Sequence, residues 1–232
     1  MKLSKETLAA LKYLATVNSS IMIKPENVEN DNTRLFSRSE THALLATVLI
    51  AEKFDKPFIT TDLPRFLSIV SLFEDPEFDF AEDMVTITDT ASKQKMVFYY
   101  SPVHLVEKVQ SNKLPKEQPN IAMSFSLSKD NLEKIKKASD MLGCDDIVIY
   151  ADKKVVKVAI MNPSVDTSNS FEIEVEVSGK PSGKFFFKKT NLRVRETDYS
   201  VSISDSGLME MIAQDGVYAE EKAFVVANLE DE

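Results

Sequence analysis

Four lysines are set apart by their spacing. Lys5 and Lys12 are seven residues apart, as are Lys129 and Lys136, and each pair follows a serine, Ser4 or Ser128, of the type that caps a helix. Seven residues is close to two helical turns, so each pair shares one helix face, opposite the leucines of the same segment. A row of ammonium groups on a solvent-facing helix is suited to pairing with phosphate. Any one lysine taken alone reads more simply as a solvated surface residue. The distribution of charge over the whole chain adds to the case. Residues 2–12 and 128–137 each carry +2, residues 61–73 balance Arg65 against Asp62, and residues 188–195 carry +4 from Lys188, Lys189, Arg193 and Arg195. These four windows total +8 in a chain of net charge −9, which leaves −17 on everything else. An acidic protein as a whole repels nucleic acid, but a basic stripe on an acidic body attracts it locally. No recognition-helix pattern and no Cys/His finger is present, so contact would be with phosphate, independent of base sequence and sensitive to salt.

Residues able to carry catalysis are sparse. There is no Gly-x-Ser-x-Gly elbow and no Gly-x-x-x-x-Gly-Lys-Ser/Thr loop, so the chain reads as neither an enzyme nor an ATPase. Cys144 is the single cysteine and follows Gly143 just after a helical segment, the setting of a buried structural thiol. Two histidines, His42 and His104, make a His/Cys metal site improbable, with His104 a plain surface residue. Glu74-Asp75 and Glu82-Asp83 read as loop charges, so neither metal nor cofactor is expected. One cysteine excludes an internal disulfide and fits a reducing cytosol. No apolar run approaches the roughly 20 residues of a membrane span. The opening residues lack a signal-peptide core, so a cytoplasmic protein is expected.

The basic residues must be held by something rigid. Residues 4–16 place Leu8, Leu11 and Ala15 on one side of a helix, residues 62–74 begin with Asp62 and carry Pro64 in the first turn, and residues 128–142 align Leu132, Ile135 and Leu142. A short helical turn fits residues 190–195. Alternation of period two marks strands at 121–127 and 171–177 and around 85–88. Further strands are expected at 19–24, 43–53, 93–100, 145–161, 184–188, 199–204 and 217–229. Few helices beside many one-sided strands predicts an α+β fold of antiparallel sheets.

The halves repeat. Leu3-Ser4-Lys5-Glu6 through Lys12 matches Leu127-Ser128-Lys129-Asp130 through Lys136 at a constant offset of 124, and Asp62-Leu63 has a weaker echo in Asn191-Leu192. Two capped amphipathic helices could coincide by chance, but register and order both agree, which favours duplication of a helix-plus-sheet unit. Between the halves, the stretch 101–120 contains Pro102, Pro115 and Pro119 and reads as an extended linker. The expected division is a first domain at 1–101, a linker at 102–119 and a second domain at 120–232.

Residues 1–24, with 62–72 and more weakly 224–230, resemble the DNA polymerase sliding clamps of T-even-type bacteriophages. That resemblance implies two similar domains of the DNA-clamp type, joined head to tail in a homotrimer ring. Antiparallel sheets would lie outside, and helices would line a channel around duplex DNA. It implies partners in a replicative DNA polymerase and an ATP-dependent clamp loader, and a location in the cytoplasm of an infected bacterial host. By the same resemblance Lys5, Lys12 and Arg65 face DNA from one domain and Lys129, Lys136 and Arg193 from the other, joined by Lys134, Lys137 and Arg195. Subunit contact falls to the strands at 93–100 and 170–178 through Val97, Tyr99, Phe171, Ile173 and Val175, residues that could equally be plain core. Partner peptides would take a pocket near Val103, Leu105, Pro119, Phe224, Val226 and Leu229, residues that no motif fixes. Without the resemblance, a β-rich adaptor or virion structural protein that does not bind DNA, or a hydrolase with an unrecognised site, would also fit.

Overall fold

Ser4 starts the first helix for a local reason. Its hydroxyl accepts the Thr7 N–H at 3.0 Å, satisfying a donor that the helix itself cannot. The Glu52 carboxylate completes the cap, accepting the Ser4 N–H at 2.6 Å and the Thr7 hydroxyl. Helix α1 (Lys5–Val17) then buries Ala10, Leu11, Leu14 and Val17. The computed structural model describes residues 1–89, 92–107, 113–116, 120–165 and 167–228. Its contacts divide the chain into two units, Met1–Lys113 with Val217–Glu221, and Leu114–Gly216 with Lys222–Glu232.

In the first unit α1 is followed by β1 (Ile21–Ile23), β2 (Val28–Glu29), β3 (Asn32–Arg38), β4 (Leu44–Ile50) and β5 (Phe58–Thr60). Then come α2 (Leu63–Val70), β6 (Glu77–Phe80), β7 (Met84–Asp89), β8 (Gln94–Tyr99) and α3 (Val103–Glu107). All pairing is antiparallel: β1 with β5, β3 between β2 and β4, and β7 between β6 and β8. Helix α1 lies against β3, β4 and α2. Asp62 caps α2 by accepting the Arg65 N–H at 3.0 Å, and Pro64 occupies the first turn, where no N–H is needed. Beneath α2 the rings of Phe58, Phe66, Phe78 and Phe80 are in contact. Arg34 is 4 % exposed and is held by Glu29 at 2.8 Å and Glu220 at 2.7 Å.

The second unit runs β9 (Ile121–Leu127), α4 (Lys129–Leu142), β10 (Asp146–Asp152), β11 (Val155–Ile160), β12 (Phe171–Val175) and β13 (Val177–Ser178). It continues with β14 (Lys184–Lys188), a 3-10 turn at Lys189–Asn191, β15 (Tyr199–Ser204), β16 (Leu208–Ala213) and β17 (Glu220–Val226), whose first two residues group with the first unit. One sheet has the order β12-β11-β10-β14, and β13, β9, β15, β16 and β17 neighbour one another in that order. Helix α4 packs on β11 and β12 through Leu132, Ile135 and Ser139. It ends at Gly143, whose φ of +60° would strain any other residue type.

The repeat is physical. Ser128 accepts the Asn131 N–H at 3.2 Å, the same cap as Ser4 on Thr7, shifted by 124 residues at both ends. Ile23 pairs with Phe58 across β1 and β5, and Ile147 pairs with Phe187 across β10 and β14. The isoleucines are again 124 apart and the phenylalanines 129, the offset of the weaker Asp62/Asn191 echo. All four side chains are at most 1 % exposed. Met1 bonds Phe78 from both sides, its ammonium to the Phe78 carbonyl at 2.5 Å and the Phe78 N–H to its carbonyl at 2.7 Å. It thereby takes beside β6 the place that Phe125, 124 residues later, takes beside Val201 of β15.

Several elements differ from expectation. The run 145–161 is two strands, turned at Lys153 with φ of +58°. The run 170–178 breaks at Glu176 into β12 and β13. The stretch 101–120 is not wholly extended: α3 lies within it because Val106 buries completely against Met22, Ile59 and Tyr100, which favours a turn of helix over an extended path. Strands β2, β3, β5, β6 and β16 were not expected: β2 and β5 are two and three residues long, β3 is buried through most of its length, and the alternation in β6 and β16 runs over only four and six residues.

Two outcomes follow for stability. Phe58→Ala and Phe187→Ala should each cost about 3–5 kcal/mol in urea unfolding, because both empty the same place in the duplicated core. Burial pushes the Glu52 carboxyl up, but the hydrogen bonds from Thr7 and Ser4 outweigh it and hold the group below the usual carboxylate range. Its contribution is therefore complete above that range and is lost as pH falls through the lowered value. Glu52→Gln should cost about 1–2 kcal/mol at neutral pH and flatten the acid limb of the stability curve.

Candidate nucleic-acid interface and partner groove

On α1 the buried side fixes what remains for solvent. Lys5 and Lys12 are exposed, and Arg65 is exposed on the first turn of α2. None of the three forms a salt bridge among the described residues. A groove of about 450 Å³ between the two helices is lined by Lys12, Ala15, Thr16, Pro64, Leu67, Ser68 and Ser71. The hydroxyls of Thr16, Ser68 and Ser71 donate to the carbonyls of Tyr13, Pro64 and Ser68. Lys12 is thus left as the groove's side-chain donor to an outside anion.

The second unit differs. Lys129 and Lys137 both approach the Glu133 carboxylate, at 4.0 and 3.3 Å. Lys134 is exposed and forms no salt bridge among the described residues. Lys136 does not stand opposite the leucines as expected. It is one turn beyond Leu132, which is fully buried, so its ammonium is half-buried and donates to the Val194 carbonyl at 3.2 Å, with Glu196 at 3.9 Å. Burial holds its pKa below the ordinary lysine value. In α1 the equivalent Leu8 is only half-buried, so Lys12 stays in solvent. The +4 of residues 188–195 is also met by acids outside that window. Lys188 pairs with Asp146 at 2.5 Å, Lys189 with Asp140, and Arg195 with Asp215 at 2.8 Å. The hydrogen bond to Asp146 raises the Lys188 pKa. Arg193 is exposed.

The two strands expected at the subunit contact each end a sheet among the described strands. In the first unit β8 is outermost, with Val97 half-buried and Tyr99 70 % exposed. In the second, β12 is outermost, with Phe171 and Ile173 half-buried. Val175 is 6 % exposed and belongs to the core of its own unit. Such edges present unpaired N–H and C=O groups to any strand able to add.

The second unit also carries a groove of about 460 Å³. Phe224 lies in it, among Leu114, Pro115, Ile121, Leu208 and Ile212, with the Lys222–Glu210 ion pair, 3.5 Å, at its side. Leu208 and Ile212 were not anticipated, although they and Phe224 obey the period of two that sets one face of β16 and β17. Val226 is 46 % exposed on the same strand but does not line the groove. Val103 and Leu105 are exposed on α3 of the first unit, and Pro119 and Leu229 lie outside the described residues. His104 is exposed, whereas Cys144 is half-buried, not fully buried as expected, with its thiol 3.9 Å from the Asp146 carbonyl. No helix among the described residues is long and apolar enough to cross a membrane.

This architecture is the fold of the DNA clamps. The crystal structure of Proliferating Cellular Nuclear Antigen from Entamoeba histolytica matches it with a TM-score of 0.68, covering 96 % of this chain and 94 % of that one at 14 % identity. In sequence, the sliding clamp of Vibrio phage KVP40 is 30 % identical over 216 residues, which span 91 % of this chain and 94 % of the relative. The sliding clamps of Escherichia phage RB69 and Enterobacteria phage T4 are each 25 % identical, covering 89 % and 94 % of this chain and the same shares of their own. No protein-family model matches the chain. The chain belongs to the sliding clamp family.

The charge pattern can be tested chemically. Under limiting amine acylation followed by mass spectrometry, Lys5, Lys12 and Lys134 should react ahead of Lys188 and Lys189, which are held in ion pairs. Equal rates would contradict the pairing.

Proposed function

We propose that the chain is the subunit of a homotrimer ring that encircles duplex DNA and keeps a replicative polymerase at the primer end. No bond is made or broken by the clamp. A closed ring cannot leave duplex DNA sideways, so a polymerase attached to it stays at high effective concentration. Opening the ring for loading falls to a separate ATP-driven loader.

The observation that carries this reading is the row of exposed cations Lys5, Lys12 and Arg65 on the helices of a chain whose net charge is −9, in a fold shared with DNA clamps. Contacts of that kind grip phosphate without reading bases and so permit sliding. In the proposed ring, β8 of one subunit adds to β12 of the next, a head-to-tail contact that uses two different edges and can close. Tyr99, Val97, Phe171 and Ile173 flank that junction. The Phe224 groove takes a short apolar tail of the polymerase or loader, with Val226 on the same strand as a further contact.

Light scattering should give the mass of three chains, and Tyr99→Glu should shift it toward one without loss of helix content. Rings loaded on circular DNA should be retained through gel filtration and lost when the circle is linearised. A DNA-indifferent monomer would refute the reading. Ile212→Glu should weaken capture of a polymerase tail peptide at least tenfold, about 1.4 kcal/mol, while leaving the trimer intact.

A further inference from the structure

We propose that the two units do not grip DNA equally: phosphate contact is carried chiefly by Lys5, Lys12 and Arg65 of the first, while Glu133 holds the α4 face of the second near neutrality and so limits how tightly the ring holds its track. This inference rests on the clamp reading and adds to it a division of labour within the subunit.

The argument follows from which side each helix buries. With Leu132, Ile135 and Ser139 turned inward, the side of α4 turned away carries Asp130, Glu133, Lys134, Lys137 and Asp140, with Lys129 at its margin. That is three cations against three carboxylates. On α1 the corresponding side carries Lys5, Ala9, Lys12 and Thr16, all exposed, with no acid among them. Its acid, Glu6, lies about 100° around the helix from Lys5. On α2, Arg65 shares the outward side with Ser68, and Asp62 is occupied in capping. The duplication therefore preserved the lysines in register but not their surroundings. Thr7 and Leu8 sit where the second copy has Asn131 and Leu132, and Ala9 sits where it has Glu133. That last difference places one carboxylate within reach of both Lys129 and Lys137. A phosphate approaching either lysine must compete with it, and a cation already neutralised by its own protein yields little counterion release.

Fluorescence anisotropy with a short duplex, repeated over a salt series, tests this on the full chain. Three variants are compared with the parent: Lys5→Ala/Lys12→Ala/Arg65→Ala, Lys129→Ala/Lys134→Ala/Lys137→Ala, and Glu133→Gln. All the altered positions are exposed or half-exposed, and circular dichroism verifies the fold. The first triple should lower the slope of log affinity against log salt by about 2–3, the second by about 1 or less. Glu133→Gln should tighten binding about threefold to tenfold at low salt and steepen the slope. Equal losses from the two triples, a larger loss from the second, or no gain from Glu133→Gln would overturn the division of labour while leaving DNA binding in place. A parent protein with no salt-dependent affinity for duplex DNA would overturn the clamp reading itself, and this inference with it.

Discussion

A helix laid on a sheet can present outward only what it does not bury, and this constraint governs the molecule. Ala10, Leu11 and Leu14 commit one side of α1 to β3 and β4, and Leu132 and Ile135 commit one side of α4 to β11 and β12. Once those sides are chosen, the positions of the basic residues are no longer free. The depth of burial at one leucine per helix then decides whether the lysine a turn later meets water or protein. Leu8 and Leu132 occupy equivalent places in the repeat, yet only the second is fully buried.

Much of this was legible in the sequence. Ser4 and Ser128 announce helix starts by a mechanism that acts within three residues, and the structure has both caps. The repeat was legible for the same reason, since a cap and a leucine spacing survive divergence better than a strand's surface. What could not be read depends on distant partners. Strand β3 was hidden because Arg34 looks like a surface residue until Glu29 and Glu220 are brought to it. The acids that meet Lys189 and Arg195, Asp140 and Asp215, lie 49 and 20 residues away along the chain, so a count over a local window could not include them. Of the residues lining the groove around Phe224, the family resemblance pointed to Phe224, while Leu114 and Pro115 join it from a segment that gave only the signature of a linker.

The two copies also show how duplication and divergence divide. The interior pairings Ile23 with Phe58 and Ile147 with Phe187 kept both residue types and register, because a change there opens a void. Outward positions drifted, as the exchange between Ala9 and Glu133 illustrates. Core residues answer to packing alone, whereas surface residues answer to a partner's charge, and nothing requires both copies to answer alike.

The short segment Val217–Glu221 departs from a simple tandem arrangement. It comes late in the chain but groups with the first unit, where Glu220 meets the buried Arg34 and the Tyr218 hydroxyl donates to the Glu6 carbonyl at 3.2 Å. A gene fragment ending near residue 113 would therefore encode a first unit missing one of its own pieces, with the buried Arg34 guanidinium keeping Glu29 but losing Glu220. The first half of the repeat is thus not self-contained in sequence: a cut between the halves parts it from the segment that its buried arginine contacts.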